Sequence, residues 1–158
     1  MPNYFVDTSA LAKLYHQEAG SEFVGRIVWE PGSRCIVSHL AMVEMESVFA
    51  IKARTGAVDE RQVETARRCL RADLRQQRLL VGPPVQPRHF QAARLLLVKY
   101  GAREGLRTLD ALQLAIALDL KESGQIAVLI AADQRLCRVA TLAGCPAANP
   151  EKPESALT

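Results

Sequence analysis

The chain has 158 residues and a net charge of +3; its hydrophobic and charged fractions, 49% and 23%, are typical of a globular protein with one sizeable core. No apolar run reaches the length of a membrane span and no basic segment precedes an apolar one, so we expect no membrane association and a cytoplasmic location. The four cysteines show no paired spacing and the three histidines are isolated, which argues against a zinc site or a histidine-based triad.

Short apolar runs alternate with helical patterns along the whole chain. In chain order they predict a strand at 4–6, helices at 9–20 and 21–28, a strand at 35–37, helices at 38–54 and 59–77, a strand at 79–81, helices at 88–100 and 108–123, a strand at 128–130 and a helix at 133–143. This alternation predicts an α/β fold in which helices sandwich a mainly parallel sheet. We expect a single domain over 1–145 and a mobile, proline-containing tail over 146–158.

Four acidic residues are placed so that such a fold could bring them together. Asp7 follows the first strand and Asp133 follows the fourth, and sites in parallel α/β folds lie beyond the carboxyl ends of the strands. Asp110 lies in the first turn of its helix and Glu44 in the second turn after a Ser38 cap, so both could face the same edge. Clustered carboxylates on apolar elements need a compensating charge, which Mg²⁺ or Mn²⁺ would supply.

Each acid also has a plainer explanation. Asp7 and Asp133 could simply cap the helices that follow them. Asp110 could interact with the dipole of its own helix, since acids favour first turns. Glu44 and Glu46 both have apolar helical neighbours, and their spacing does not separate them.

A group of arginines occupies the polar helix predicted at 59–77 and the residues just after it. The spacing of Arg67, Arg71, Arg75 and Arg78 predicts that they share one helix face. Guanidinium groups suit phosphates, but a solvated helix face accounts for the same pattern. The spacing therefore leaves open whether this face contacts nucleic acid.

The four acids stand in four longer stretches of sequence. These are YFVDTSALAKLY from Tyr4, VSHLAMVEM from Val37, LRTLDALQLA from Leu106 and IAADQRL from Ile130. In this order, over one domain length, they resemble the motifs of the PIN-domain family. Within that family they are similar to the VapC-type toxins of toxin–antitoxin pairs.

The resemblance implies a PIN-like three-layer α/β/α sandwich with a central, mainly parallel sheet. It also implies a metal-dependent endoribonuclease that uses one or two Mg²⁺ or Mn²⁺ ions. Asp7, Glu44, Asp110 and Asp133 would then be the catalytic and metal-binding acids, with Glu44 selected over Glu46. Two ions about 4 Å apart can activate a water and stabilise the leaving oxygen of a phosphodiester.

Other positions acquire expected roles from the same resemblance. Ser9 would be the small polar neighbour that supports the first acid. Lys13 and Arg107 are candidates for holding a substrate phosphate. One departure is Ala131, where the family often has Thr or Ser two residues before the last acid, so a supporting hydroxyl is absent here.

The resemblance further implies an RNA substrate, a homodimer and a cognate antitoxin that covers the acids. Two alternatives keep the fold: a non-catalytic RNA-binding or scaffold module, and an RNA-processing nuclease with no toxin role. Four retained acids argue against a scaffold, which gains nothing from an uncompensated acidic pocket. A phosphotransfer enzyme or phosphatase with Asp7 as nucleophile is a third possibility, but Thr8 and Ser9 do not supply the expected Asp-x-Asp opening.

Overall fold

A five-stranded parallel sheet forms the centre of the protein, in a computed structural model that describes residues 2–153. The strands are β1 (Asn3–Val6), β2 (Arg34–Val37), β3 (Leu79–Val81), β4 (Val128–Ile130) and β5 (Ala147–Ala148). Their order is β3-β2-β1-β4-β5, and every neighbouring pair is parallel. The four strands predicted from the apolar runs are confirmed, and β5 is an addition.

Two helix layers cover the sheet. The helices are α1 (Thr8–Leu11), which continues into a 3-10 turn at Ala12–Leu14, α2 (Ser21–Trp29), α3 (His39–Arg54), α4 (Glu60–Arg75), α5 (Pro87–Glu104), α6 (Thr108–Glu122) and α7 (Gln134–Leu142). Successive strand residues point to opposite faces, so Phe5 packs with α5, α6 and α7 while Val6 packs with α1 to α4. The predicted three-layer α/β/α sandwich is confirmed. None of the described helices is long and apolar enough to cross a membrane.

The strand order reverses direction beside β1. From β1 the chain builds outward through β2 and β3, then returns to place β4 on the other side of β1. The end of β1 is tied to the end of β4, because the backbone N–H of Asp7 donates to the carbonyl of Ile130 at 2.9 Å. Such a reversal opens a crevice at the carboxyl ends of the two strands, where α/β folds bind ligands.

Several predicted helix boundaries are wrong. The helix expected at 9–20 ends with the 3-10 turn at Leu14. The α5 helix passes through Gly101, where it was expected to stop, and ends at Glu104 with Gly105 as its cap, whose φ of +70° favours glycine. A glycine inside a helix costs only about 1 kcal/mol relative to alanine, and the packing of α5 against α6 outweighs that cost.

The prediction that four arginines share one helix face is wrong for Arg78. The α4 helix ends at Arg75, and the positive φ of Gln77, 59°, turns the chain before Arg78. Arg78 instead stacks over Trp29 at 4.0 Å from the ring centroid and pairs with Asp73 at 3.1 Å. It belongs to the packing around the start of β3 and not to the helix face.

The expected tail beyond residue 145 requires a correction as far as the structure describes it. Ala147–Ala148 forms β5 and pairs with Leu129 and Ile130 of β4. The buried Asn149 then donates to the carbonyl of Ala132 at 3.3 Å. The strand forms because β4 would otherwise present an unpaired edge. Residues 154–158 of the expected tail lie outside the described residues.

Candidate acidic active site

Asp7 lies at the end of β1 and is almost fully buried, with 4% of its surface exposed. Its Oδ2 caps α1 by accepting hydrogen bonds from the backbone N–H of Ser9 at 3.1 Å and from the Ser9 hydroxyl at 2.6 Å. Burial raises the pKa of Asp7 to about 6, and the nearby charges of Glu44 and Asp110 add to that rise against the effect of the Ser9 bonds. The capping role expected from sequence is real, but it engages only one carboxylate oxygen.

Ser9 joins the two strand ends that flank the crevice. While its hydroxyl donates to Asp7, its oxygen accepts the backbone N–H of Ala132 at 3.0 Å, just after β4. The side chain of Ser9 therefore orients Asp7 and holds the loop that leads to Asp133. This contact also reaches the backbone next to Ala131, the position at which a supporting hydroxyl is missing.

Glu44 points from the second turn of α3 into the same crevice. Its Oε1 accepts two hydrogen bonds, from the Thr8 hydroxyl at 3.1 Å and from Nε2 of Gln113 at 2.9 Å. Burial raises the pKa of Glu44, the charge of Asp110 adds to the rise, and the two hydrogen bonds oppose it. Glu46, two residues further on, is exposed and bonded through both carboxylate oxygens to Arg67 of α4. The geometry thus separates the two glutamates that the spacing leaves open.

Asp110 and Asp133 are connected by Arg107. The guanidinium of Arg107 donates to Oδ2 of Asp110 at 3.2 Å and to Oδ2 of Asp133 at 2.9 Å. Asp133 also caps α7, with Oδ1 accepting from the backbone N–H groups of Arg135 and Leu136. Burial raises the pKa of Asp110, with a contribution from the charge of Asp133, although Arg107 acts in the opposite direction.

The four predicted acids lie in one electrostatic neighbourhood. Asp110 is the central member, since its charge raises the pKa of both Asp7 and Glu44 and its own pKa is raised by Asp133. Across residues 2–153, no hydrogen bond reaches Oδ1 of Asp7, Oε2 of Glu44 or Oδ1 of Asp110. Three carboxylates therefore each have one oxygen without a protein donor.

The donor set fits a hard divalent cation. Carboxylate oxygens are the ligands that Mg²⁺ and Mn²⁺ prefer, and a cation would offset the burial that raises these pKa values. In the described part of the chain, no three acidic, His or Cys side chains stand close enough to form a ready metal site. Uncompensated carboxylates repel one another, and Arg107 pairs with two of these acids. The metal-binding roles of the acids stay predictions.

Lys13 does not occupy the position expected of a phosphate ligand. Its side chain is 4% exposed and its ammonium pairs with Glu18 at 3.2 Å and with Glu151 at 2.6 Å. A buried ammonium with two carboxylate partners is not available to a substrate phosphate. Arg107, in contrast, is 66% exposed and stands beside the acids.

Some of the arginines on α4 interact with other residues of the protein. Arg67 forms a bidentate pair with Glu46, at 2.7 Å for the shortest contact, and lies over the ring of Phe49. The charge of Arg71 also contributes to lowering the pKa of Glu46. The structure therefore uses Arg67 to join α3 and α4.

Sequence patterns missed two polar residues that organise the crevice, Thr8 and Gln113. Gln113 is fully buried and lies one helical turn after Asp110 in an otherwise apolar run of α6. Its Oε1 accepts from the Ser38 hydroxyl at 2.6 Å, so the predicted helix cap Ser38 also belongs to this network. A lone amide in an apolar helical run is the signal that could have identified Gln113.

A model of the PIN domain matches residues 4–142, which is most of the chain. The chain belongs to the PIN-domain family. All four motif stretches quoted above lie within this range. The resemblance seen in the sequence is therefore confirmed at the level of the family. Among curated proteins, none matches the chain significantly.

Three solved structures are similar to this chain. The toxin VapC20 of Mycobacterium tuberculosis, described as cleaving the sarcin-ricin loop, has a TM-score of 0.61 at 23% identity and covers 90% of this chain and 95% of its own. VapBC2 of Rickettsia felis, bound to a promoter DNA fragment, has a TM-score of 0.61 at 13% identity. The match covers 93% of this chain and 98% of the VapBC2 chain. PAE2754 of Pyrobaculum aerophilum has a TM-score of 0.52 at 20% identity, with 92% and 89% covered. At these identities the likeness concerns the fold.

Proposed function

We propose that this PIN domain is a metal-dependent endoribonuclease of the VapC toxin type, with its active site at the crevice between β1 and β4. One observation carries the proposal. Asp7, Glu44 and Asp110 each present a carboxylate oxygen that has no protein donor, and burial raises the pKa of all three. A pocket of this kind is costly unless it binds a cation.

The three acids with an available oxygen would hold Mg²⁺ or Mn²⁺, directly or through bound water. Asp133, whose two oxygens serve α7 and Arg107, would contribute charge to the same pocket. The ion, when bound, supplies Lewis-acid chemistry that activates water and stabilises a leaving phosphodiester oxygen. No histidine or lysine base is needed for that chemistry.

The chain's own residues orient the acids and receive the substrate. Ser9 fixes Oδ2 of Asp7, which leaves Oδ1 as the oxygen available to a cation. Arg107 is exposed at the crevice, and its planar fork suits a phosphate oxygen of the RNA backbone. Once a cation compensates Asp110 and Asp133, we propose that Arg107 exchanges its carboxylate partners for substrate phosphate.

The structural neighbours support a specific cellular role for this activity. VapC20 is described as a toxin that cleaves the sarcin-ricin loop, and VapBC2 is a toxin–antitoxin complex. We propose by analogy an RNA loop as substrate, a homodimer, and an antitoxin that blocks the crevice. Loop nucleotides are unstacked and so can enter an open acidic groove.

Cleavage of a mixed RNA pool tests the proposal. The purified chain is incubated with Mn²⁺, with Mg²⁺ or with EDTA, alongside Asp7→Asn. The matched control is Asp59→Asn, because Asp59 also caps a helix, accepting from the N–H of Gln62 at 2.8 Å, but is exposed and outside the acid cluster. A sarcin-ricin loop oligonucleotide serves as a defined substrate.

We expect cleavage by the wild type and Asp59→Asn with metal, and none in EDTA. Asp7→Asn should lose at least about a hundredfold in rate, since metal-ion catalysis contributes several kcal/mol. Cleavage by Asp7→Asn at the rate of the wild type would show that the proposed site is not the active site. RNA binding without cleavage by any folded sample would favour the non-catalytic RNA-binding module.

The partner proposals have a separate test. Sedimentation at micromolar concentration should show a dimer, and a small protein encoded next to this chain should inhibit cleavage when co-purified. A strictly monomeric chain without such a neighbour would leave a non-toxin RNA-processing nuclease as the better account of any activity.

A further inference from the structure

We infer that Gln113 is a positioning residue that aims one oxygen of Glu44 into the crevice, through a hydrogen-bond chain that starts at the Ser38 helix cap. The inference rests on the proposed metal-dependent function. It concerns a residue outside the four acids that the family motifs indicate. Gln113 is fully buried, and its amide joins three separate elements, α6, α3 and the start of α1.

The chain of hydrogen bonds has a fixed direction. Ser38 Oγ accepts the backbone N–H of Ala41 at 3.0 Å as the cap of α3, so its own hydrogen is available to donate. That hydrogen goes to Oε1 of Gln113 at 2.6 Å. The amide nitrogen of Gln113 must then face Glu44, because a flipped amide would place its oxygen against a carboxylate.

The amide nitrogen of Gln113 donates toward two oxygens, Oε1 of Glu44 at 2.9 Å and the Thr8 hydroxyl at 3.3 Å. Thr8 in turn donates its hydrogen to the same Oε1 at 3.1 Å. Two neutral donors from different elements thus converge on a single carboxylate oxygen.

This convergence has a consequence for the other oxygen of Glu44. With Oε1 held between Thr8 and Gln113, the side chain cannot rotate without breaking two partly buried hydrogen bonds. Oε2 is therefore the oxygen presented to the cation and its waters. Neutral donors also stabilise the ionised carboxylate against the burial that raises its pKa, and they add no charge that would compete with the cation.

A purely structural role for Gln113 makes a different prediction. If the amide only filled the core and accepted the hydrogen bond from Ser38, its loss would lower the stability of the protein. The affinity for the metal, set by Asp7 and Asp110, would not change. A positioning role instead makes the effect of Gln113 on metal affinity depend on Glu44. The two roles are therefore separated by a double-mutant cycle on cation binding.

The experiment measures the Mn²⁺ dissociation constant of the full chain, without RNA, by isothermal titration calorimetry. The variants are Gln113→Met, Glu44→Gln and the double variant, with Ile116→Val as a control for core perturbation in the same helix. Partners of metal ligands typically affect affinity by about ten- to a hundredfold. We expect Gln113→Met to weaken Mn²⁺ binding by about that factor when Glu44 is present and by less than about twofold when residue 44 is glutamine.

A second pair of variants keeps the test decisive if Gln113→Met does not fold. Thr8→Val removes the other donor to Oε1 with little change in shape, and Thr8→Ser restores a hydroxyl. Thr8→Val should weaken Mn²⁺ binding in the same Glu44-dependent way, and Thr8→Ser should recover most of the affinity.

The outcomes distinguish this inference from the proposed function. If Glu44→Gln weakens Mn²⁺ binding but Gln113→Met and Thr8→Val do not, or if their effects persist without Glu44, the positioning role is wrong and the metal site stands. If the wild type binds no Mn²⁺, or Glu44→Gln has no effect, the proposed metal site itself fails. Loss of affinity in Ile116→Val equal to that in Gln113→Met would also overturn the inference.

Discussion

The guanidinium of Arg107 donates to Oδ2 of Asp133 at 2.9 Å and so connects the start of α6 to the start of α7. The two residues are 26 positions apart in the sequence. The same guanidinium reaches Asp110, so one exposed cation compensates two acids of the crevice. The pKa of Arg107 is raised, and the charge of Asp110 is the largest cause. In the proposed metal-bound state, we expect the cation to replace Arg107 as the compensating charge.

Arg107→Gln should separate substrate binding from stability. The side chain is 66% exposed, so we expect the free energy of unfolding to change by less than about 1 kcal/mol. Loss of the positive charge should strengthen Mn²⁺ binding and raise the KM for RNA. The control is Arg88→Gln, since Arg88 is 63% exposed and pairs with Asp119 at 2.8 Å outside the crevice. Equal KM and Mn²⁺ affinity in the two variants would contradict the role of Arg107.

Asp7→Asn should stabilise the metal-free protein at neutral pH. The folded pKa of Asp7 is about 6 against an ordinary 3.8, so the folded chain binds this proton more tightly than the unfolded chain. Stability from this group is full below about pH 4 and is lost as pH rises through about 6, a loss of roughly 3 kcal/mol. Asparagine keeps the oxygen that accepts from Ser9 and has no such loss.

Urea unfolding in EDTA between pH 4 and 7 measures this effect. The stability of the wild type should fall relative to Asp7→Asn across that range, and the two should be similar at pH 4. Asp59→Asn reports the effect of an amide at a helix cap outside the cluster. A variant that is clearly less stable than the wild type at pH 7 would count against an acidic cluster around Asp7.

Mn²⁺ should stabilise the wild type and not Asp7→Asn. A ligand at a hundred times its dissociation constant adds about 2.7 kcal/mol, which for a chain of this size raises the Tm by roughly 5–10 °C. Asp119→Asn is the control, because Asp119 is engaged by His89 and Arg88 away from the crevice. Thermal unfolding with and without Mn²⁺ provides the measurement, and an undiminished shift in Asp7→Asn would be the contrary result.

Removal of the C-terminal strand should destabilise the protein. A chain that ends at Cys145 loses the pairing of β5 with β4, and the buried Lys13 loses Glu151. We expect a loss of at least about 3 kcal/mol, because a buried ammonium would keep only one carboxylate partner. A chain that ends at Pro153 retains both contacts and is the control. Similar denaturant midpoints for the two truncations would show that β5 contributes little.

Local patterns predicted most of the fold. The runs around Phe5, Ile36, Leu80 and Leu129 are apolar and short, and buried parallel strands require that pattern, so the strands were found within a residue. The boundaries that failed depend on non-local packing. Gly101 was outweighed by the contact between α5 and α6, and β5 has only two residues, which is too short to show a period.

The sequence by itself indicated the layered fold through local hydrophobic periodicity, and its motifs indicated the family and predicted the four acids. Only the tertiary structure decided how the acids are arranged, since hydrogen bonds form between residues far apart in the chain. It paired Glu46 with Arg67 outside the cluster, paired the buried Lys13 with Glu151 and placed Arg107 between Asp110 and Asp133. It also brought the buried Gln113 to Glu44, 69 positions away, where its amide donates a hydrogen bond to the carboxylate.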